Sequence, residues 1–273
     1  MVIMNKKYLS ILMSFMPCLA FAEPVNWQIS FQEASSTIME QFVHFSHSLH
    51  LLALGIVVFV FLLLLYVCIR FKKSNNPIPS KTTHHTLLEI IWTTVPVIIV
   101  VFIAITSMKI LYFADTIPEA ELTVKVVGHQ WYWSYEYPDN GNFGFDSYII
   151  PDSKLKPGDR RLLEVDNRIV LPVDTNIRVL ITSADVIHSW AVPAFGIKQD
   201  AVPGRTNETW LRITKPGTYF GQCSELCGIG HGFMPIAIEA KSKADFEEWT
   251  KAAKQKFSYI APTKNIQITS LLN

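Results

Sequence analysis

The sequence predicts a membrane-anchored, all-β protein in which a pair of transmembrane helices precedes a β-sandwich. Two apolar runs, at about residues 49–69 and 89–113, are each close to the ~20 residues that a helix needs to cross a bilayer. From residue 121 onward, short segments rich in β-branched and aromatic residues are separated by Pro, Gly and Asp. No helical period of comparable strength lies between these segments, and this pattern is typical of a β-sandwich.

Composition agrees with this fold class. Of the 273 residues, 49% are hydrophobic, and the formal charge is only +1, which argues for membrane segments and against a nucleic-acid partner. Four cysteines are too few for a small disulfide scaffold.

The N-terminus has the pattern of a secretory signal peptide. Lys6 and Lys7 precede an apolar run at residues 8–19, and the small residues Ala20 and Ala22 follow it. This arrangement predicts a signal peptide at residues 1–22, cleaved after Ala22. The alternative is a first membrane anchor, for which the apolar core is short.

Charges around the two spans predict the topology. The positive-inside rule places residues 70–85 in the cytoplasm and everything after Tyr112 on the outer, periplasmic side of the inner membrane. The basic residues behind this prediction are Arg70, Lys72, Lys73 and Lys81. The second span also carries a set of residues that usually face another protein helix, so a membrane-protein partner is expected. These residues are Thr93, Thr94, Pro96, Thr106 and Ser107.

Residues 221–235, GQCSELCGIGHGFMP, hold the most distinctive chemistry of the chain. Two thiolates, an imidazole and a thioether lie close together, at Cys223, Cys227, His231 and Met234. This donor set suits copper far better than calcium or magnesium. A disulfide would explain the cysteines but not the histidine and methionine. Structural zinc has no use for a thioether, and a mononuclear blue-copper site uses a single cysteine.

Two copper ions bridged by both thiolates would account for the second cysteine, but each ion then needs its own imidazole. His188, in SADVIHSWAVP, is the candidate because it lies in a β-like stretch that precedes the loop. A lone histidine in a strand is usually a packed or surface residue. A Cys223–Cys227 disulfide stays open if His231 and Met234 are coincidental.

The chain resembles subunit II of the haem-copper cytochrome c oxidases. The resemblance rests on GQCSELCGIGHGFMP, GHQWYWSYEYPD, HSWAVPAFGIKQDAVPGR and LLEIIWTTVPVIIV, and it extends from about residue 42 to residue 240. It implies a lead and helical hairpin at residues 23–113 and a cupredoxin-like Greek-key β-sandwich at residues 114–257. Gly230 stands where the family often has Asn, and it is expected to supply backbone alone. The implied dinuclear copper ligands are His188, Cys223, the carbonyl of Glu225, Cys227, His231 and Met234.

The resemblance also implies roles outside the copper loop. Trp131 corresponds to the surface residue that takes an electron from cytochrome c, although alternating aromatics on a strand are most often core. Glu89 corresponds to the mouth of a proton channel into the catalytic subunit, although any first helical turn favours an acid. The Glu225 carboxylate is expected to bind magnesium at the boundary with that subunit. Acids expected to steer basic cytochrome c are Glu136, Asp139, Asp146 and Asp185.

The implied function is that of an electron-transfer subunit in a respiratory, proton-translocating oxidase. Electrons pass from cytochrome c through copper to haem in catalytic subunit I, where oxygen is reduced to water, and this chain contributes no catalytic residue. A quinol oxidase subunit would lack the cysteines. A membrane-tethered copper-delivery protein would need neither Trp131 nor Glu89, and a receptor-like module with a disulfide is the third alternative.

The C-terminal part is less informative. Residues 242–257 predict a capped amphipathic helix, with Ser242 and Asp245 as the capping box before Phe246 and Trp249. Residues 258–273 form a tail with no assigned role.

Overall fold

The structure is a computed structural model that describes residues 27–257. The expected signal peptide at residues 1–22 and the tail at residues 258–273 lie outside the described residues. Within the described part, two long helices precede two β-sheets and a final helix.

The two predicted membrane helices are α1, Thr37–Arg70, and α2, Thr86–Asp115. The apolar stretches of both helices are long enough to cross a membrane, and neither is buried against the rest of the protein. An apolar surface of this size is stable in lipid and not in water. Helix α1 begins well before the apolar run because Ser36 caps it, accepting a hydrogen bond from the Met39 N–H at 3.0 Å.

The start of α1 is attached to the β-domain. The Ser36 hydroxyl donates to the carbonyl of Phe195 at 2.7 Å, and the Ser35 N–H donates to the carbonyl of Ala194 at 3.0 Å. Ile38 and Met39 are buried beside these bonds. The anchor therefore meets the β-domain through buried contacts as well as through the covalent chain.

The β-domain is a sandwich of two five-stranded sheets. The strands are β1 Leu122–His129, β2 Tyr132–Tyr137, β3 Phe143–Ser147, β4 Ile169–Pro172, β5 Ile177–Ser183, β6 His188–Val192, β7 Ile197–Ala201, β8 Asn207–Leu211, β9 Gly217–Cys223 and β10 Pro235–Lys241. In the first sheet the strand order is β3-β2-β1-β5-β8, and in the second it is β4-β10-β9-β6-β7. The pairs β1–β5 and β4–β10 are parallel, and the other neighbours are antiparallel. The predicted membrane-anchored sandwich is confirmed.

Buried and partly exposed residues alternate along the strands, and the buried side chains form the core between the two sheets. In β2, Trp133, Tyr135 and Tyr137 are fully buried, whereas the residues between them are partly exposed. Trp131 lies outside the strands, in the connection between β1 and β2. Trp133 therefore belongs to the core, whereas Trp131 is partly buried and packs against the core.

The last helix, α3, spans Lys243–Lys256. Its N-cap is Ser242, whose hydroxyl oxygen accepts a hydrogen bond from the Asp245 N–H at 3.2 Å, as the capping-box pattern predicts. Trp249 packs against Tyr137 with ring centroids 5.4 Å apart. This helix closes one end of the core.

Candidate metal centre

The topology brings the distant histidine to the cysteine loop. Strand β9 ends at Cys223 and β10 begins at Pro235, so the connecting loop carries the remaining sulfur and imidazole donors. Strand β6, which begins at His188, is the direct neighbour of β9, and Trp190 pairs with Cys223. Two sheet neighbours thus hold ligands that lie 35 residues apart in sequence.

The donor atoms form a continuous cluster. Nδ1 of His188 lies 3.9 Å from Sγ of Cys223, which in turn lies 3.9 Å from Sγ of Cys227. Sγ of Cys227 lies 3.6 Å from Nδ1 of His231 and 3.5 Å from Sδ of Met234. The carbonyl oxygen of Glu225 lies 3.3 Å from Sγ of Cys223. All six predicted ligands therefore surround one small region.

The two sulfurs are not bonded to each other. Both thiols are free and buried, and their separation of 3.9 Å is far longer than the roughly 2.05 Å of a disulfide bond. The disulfide alternative is therefore wrong for this structure. Buried sulfur and imidazole donors, with a thioether among them, fit copper rather than a hard cation.

The two thiols differ in acidity. Burial raises the pKa of Cys223, but hydrogen bonds from His188 and from backbone N–H groups outweigh burial and lower the pKa overall. Burial raises the pKa of Cys227, and the charge on Cys223 raises it further. One thiolate therefore forms readily, and holding two so close together needs a neutralising cation.

Asp185 orients the His188 ring. Its Oδ1 lies 2.8 Å from Nε2 of His188, and its carboxylate also accepts hydrogen bonds from the N–H groups of Gln130 and Val186, at 2.7 and 2.6 Å. A carboxylate bound to one ring nitrogen favours a proton there and leaves the other nitrogen free to bind a metal. This role was missed when Asp185 was interpreted as a docking acid. The sequence feature that could have indicated this role is the position of Asp185, three residues before His188.

Two tryptophans contact the loop from different sides. Nε1 of Trp131, which is half-buried, donates to the carbonyl of Cys227 at 3.1 Å, and Nε2 of Gln130 donates to the same oxygen at 2.9 Å. Nε1 of Trp133 donates to the carbonyl of Met234 at 3.2 Å from inside the core. The backbone of the ligand loop is thus held by side chains of the β1–β2 hairpin.

The other candidate residues lie apart from the metal donors. Glu136 pairs with Lys125 at 3.0 Å, and Asp146 accepts a hydrogen bond from Ser134 at 2.6 Å. Asp139 accepts from the Thr123 N–H at 2.6 Å. Glu136 lies on β2 and Asp146 on β3, and Asp139 lies in the short 3-10 turn between these two strands.

Glu89 lies in the first turn of α2, where its Oε1 accepts a hydrogen bond from the His85 N–H at 3.2 Å. This contact supports the helix-end interpretation of the acid and does not by itself assign a proton path. Glu225 has an exposed side chain, so its carboxylate is accessible from outside the chain.

The fold and the donor cluster define a membrane-anchored copper protein with a cupredoxin-like domain. Comparison with known families makes the assignment specific. Residues 122–241 match the family described as cytochrome c oxidase subunit II, periplasmic domain, and residues 24–110 match the corresponding transmembrane domain. The chain belongs to the cytochrome c oxidase subunit II family. It is therefore an electron-transfer subunit of an oxidoreductase complex, with a copper centre.

Individual relatives agree. A probable cytochrome c oxidase subunit 2 from Rickettsia felis is 58% identical over 235 residues, which are 86% of this chain and 74% of the relative. Cytochrome c oxidase subunit 2 from Chondrus crispus is 49% identical over 82% of this chain and 90% of its own length. The crystal structure of the periplasmic domain of subunit II from Bradyrhizobium japonicum is 55% identical, with a TM-score of 0.49. It covers 52% of this chain and 99% of that chain.

Proposed function

We propose that the cluster holds two copper ions bridged by the sulfurs of Cys223 and Cys227. The observation that supports this most is the pairing of each sulfur with a different imidazole, Cys223 with His188 and Cys227 with His231, at 3.9 and 3.6 Å. Met234 and the Glu225 carbonyl complete the ligand set. Two copper ions held by these residues would share one unpaired electron, which would keep the geometric change of each electron transfer small.

Rigid supports suit this chain to that role. His188 is fully buried and its outer nitrogen is held by Asp185. The carbonyls of Cys227 and Met234 are held by Trp131 and Trp133. Donors fixed by packing and hydrogen bonds change position little between oxidation states, which favours fast electron transfer.

Electrons reach the centre from cytochrome c through Trp131 in this proposal. The bond from the Trp131 indole to the Cys227 carbonyl supplies a direct contact between a surface ring and a ligand residue. Glu136, Asp139, Asp146 and Asp185 form the acidic docking surface for a basic partner, and their effect is on association rate and salt dependence. From copper the electron passes to haem in the catalytic subunit.

Three further assignments belong to the same proposal. The β-domain lies on the periplasmic side, because the basic loop between α1 and α2 stays in the cytoplasm. Glu89, at the cytoplasmic start of α2, serves proton uptake into the catalytic subunit. The exposed carboxylate of Glu225 binds magnesium at the boundary with that subunit, for which a hard oxygen donor is suitable.

Metal analysis with electron spin resonance of the full-length chain, purified in detergent and loaded with copper, tests the dinuclear centre. We expect two copper ions per chain and a hyperfine pattern from one electron coupled to two copper nuclei. A single copper per chain with splitting from one nucleus contradicts the proposal. Replacement of Trp131 by Phe in the whole oxidase tests the electron route: we expect an unchanged copper spectrum and slower reduction by cytochrome c.

A further inference from the structure

Two glycines of the copper loop lie directly under the indole of Trp131. A Cβ added at Gly228 would lie 3.1 Å from Cζ2 of the ring, and a Cβ added at Gly230 would lie 2.3 Å from Cδ2 and 2.4 Å from Cγ. The indole therefore rests on two loop positions that have no side chain, one on each side of Ile229. Its Nε1 reaches the Cys227 carbonyl from this position.

The two glycines differ in what a side chain would disturb. Gly228 has φ +113°, a backbone conformation that favours glycine whatever surrounds it. Gly230 has φ −91° and ψ 10°, which other residues adopt. The backbone conformation at position 230 therefore suits other residues, and what a side chain would meet there in this chain is the indole.

The contact at Gly230 is hard to relieve. Cγ is the first ring atom of Trp131, so rotation of the ring about the Cβ–Cγ bond leaves it in place. A methyl group at position 230 therefore forces a change of the Cα–Cβ rotamer of Trp131 or a shift of the loop. Either movement takes the indole away from the Cys227 carbonyl.

We propose that Gly230 is a positioning residue for electron transfer, because its missing side chain lets the Trp131 indole lie against the copper loop. This inference rests on the proposed role of Trp131 as electron acceptor. The inference also extends the expectation that Gly230 supplies backbone alone. Because Gly230 has no side chain, the space above it is free for the indole of Trp131.

The test compares Gly230→Ala with Gly232→Ala and Trp131→Phe in the purified oxidase complex. Gly232 is a matched control, because it lies in the same loop and a Cβ there would meet nothing within 4 Å. Three quantities are measured: the single-turnover rate of copper reduction at saturating cytochrome c, the copper spin resonance spectrum, and the Nε1–carbonyl distance in a structure of the variant complex.

For Gly230→Ala we expect an unchanged copper spectrum, loss of the Trp131 hydrogen bond, and a rate more than about threefold lower, because the indole no longer contacts the carbonyl of a ligand residue. Gly232→Ala keeps the wild-type rate and spectrum. A Gly230→Ala rate within about threefold of wild type overturns the inference, and so does an altered copper spectrum, which would place the effect on the ligands. If copper is reduced as fast in Trp131→Phe as in wild type, the proposed electron route through Trp131 is wrong, and the inference about Gly230 loses the premise on which it rests.

Discussion

Oδ1 of Asp185 lies 2.8 Å from Nε2 of the fully buried His188, and this contact turns Nδ1 of the ring towards Cys223. The same carboxylate accepts a hydrogen bond from the Gln130 N–H, next to Trp131. One acid thus connects a metal-binding histidine to the turn that carries the proposed electron acceptor. The first prediction concerns this acid.

Replacing Asp185 by Ala is expected to weaken copper binding by about 10–100-fold, because the ring loses the partner that sets its tautomer and orientation. A competition titration of the full-length chain against a copper chelator measures the change. Asp139→Ala is the control, since the hydrogen bond that its carboxylate makes within the described residues is to the Thr123 N–H, at the far end of the hairpin. If Asp185→Ala leaves copper affinity unchanged and raises only KM for cytochrome c, Asp185 is a docking acid and nothing more.

Replacing Cys227 by Ser is expected to abolish the dinuclear spectrum and leave the fold intact. A hydroxyl is a harder donor than a thiolate and does not bridge two copper ions in the same way. Copper content is expected to fall from two ions per chain to at most one, while the circular dichroism of the β-domain stays the same. Retention of two coppers with a shared electron in Cys227→Ser would contradict the bridging role.

A partly buried ion pair offers a stability prediction. Arg168 contacts the Glu164 carboxylate through Nε at 2.8 Å and Nη2 at 2.6 Å, and the Glu164 side chain is only 4% exposed. Arg168→Met leaves that carboxylate buried without its partner, and we expect a loss of about 2–4 kcal/mol of stability. Thermal unfolding of the full chain in detergent measures the loss.

The exposed pair Arg161–Asp152 is the control for this experiment, with side chains 66% and 56% exposed. Arg161→Met is expected to cost less than about 1 kcal/mol, because solvent screens the pair. Equal effects of the two substitutions would show that burial of Glu164 is not the cause.

Glu89 can be tested with two substitutions that separate its roles. Glu89→Gln keeps an oxygen that can accept the His85 N–H but removes the acid, whereas Glu89→Ala removes both. If Glu89 serves proton uptake, both variants lower steady-state turnover of the oxidase while copper reduction by cytochrome c stays normal. Normal turnover in Glu89→Gln, with a loss confined to Glu89→Ala, would leave only the helix-end role.

The local patterns account for most of the fold. The two apolar runs predicted the membrane helices, and short segments rich in β-branched and aromatic residues, separated by Pro, Gly and Asp, predicted the strands. The start of α1 at Thr37 was not predicted, because its cap depends on Ser36 bonding to Phe195, far away in the chain. The difference between Trp131 and Trp133 was only partly predictable, because it depends on where β1 ends and β2 begins.

The sequence alone determined the membrane anchor, the β-domain, and the kinds of donor atoms that the copper loop can offer, since these follow from composition and spacing. Three features were decided by the tertiary structure. The Sγ atoms of Cys223 and Cys227 lie 3.9 Å apart, the carboxylate of Asp185 contacts the ring of His188, and the indole of Trp131 packs against Gly230. The physical reason is that packing sets these distances. Gly230 and Trp131 lie in different loops. The contacts of Asp185 with His188 and of Cys223 with Cys227 are local in sequence, but their geometry depends on how neighbouring strands hold the turn and the loop.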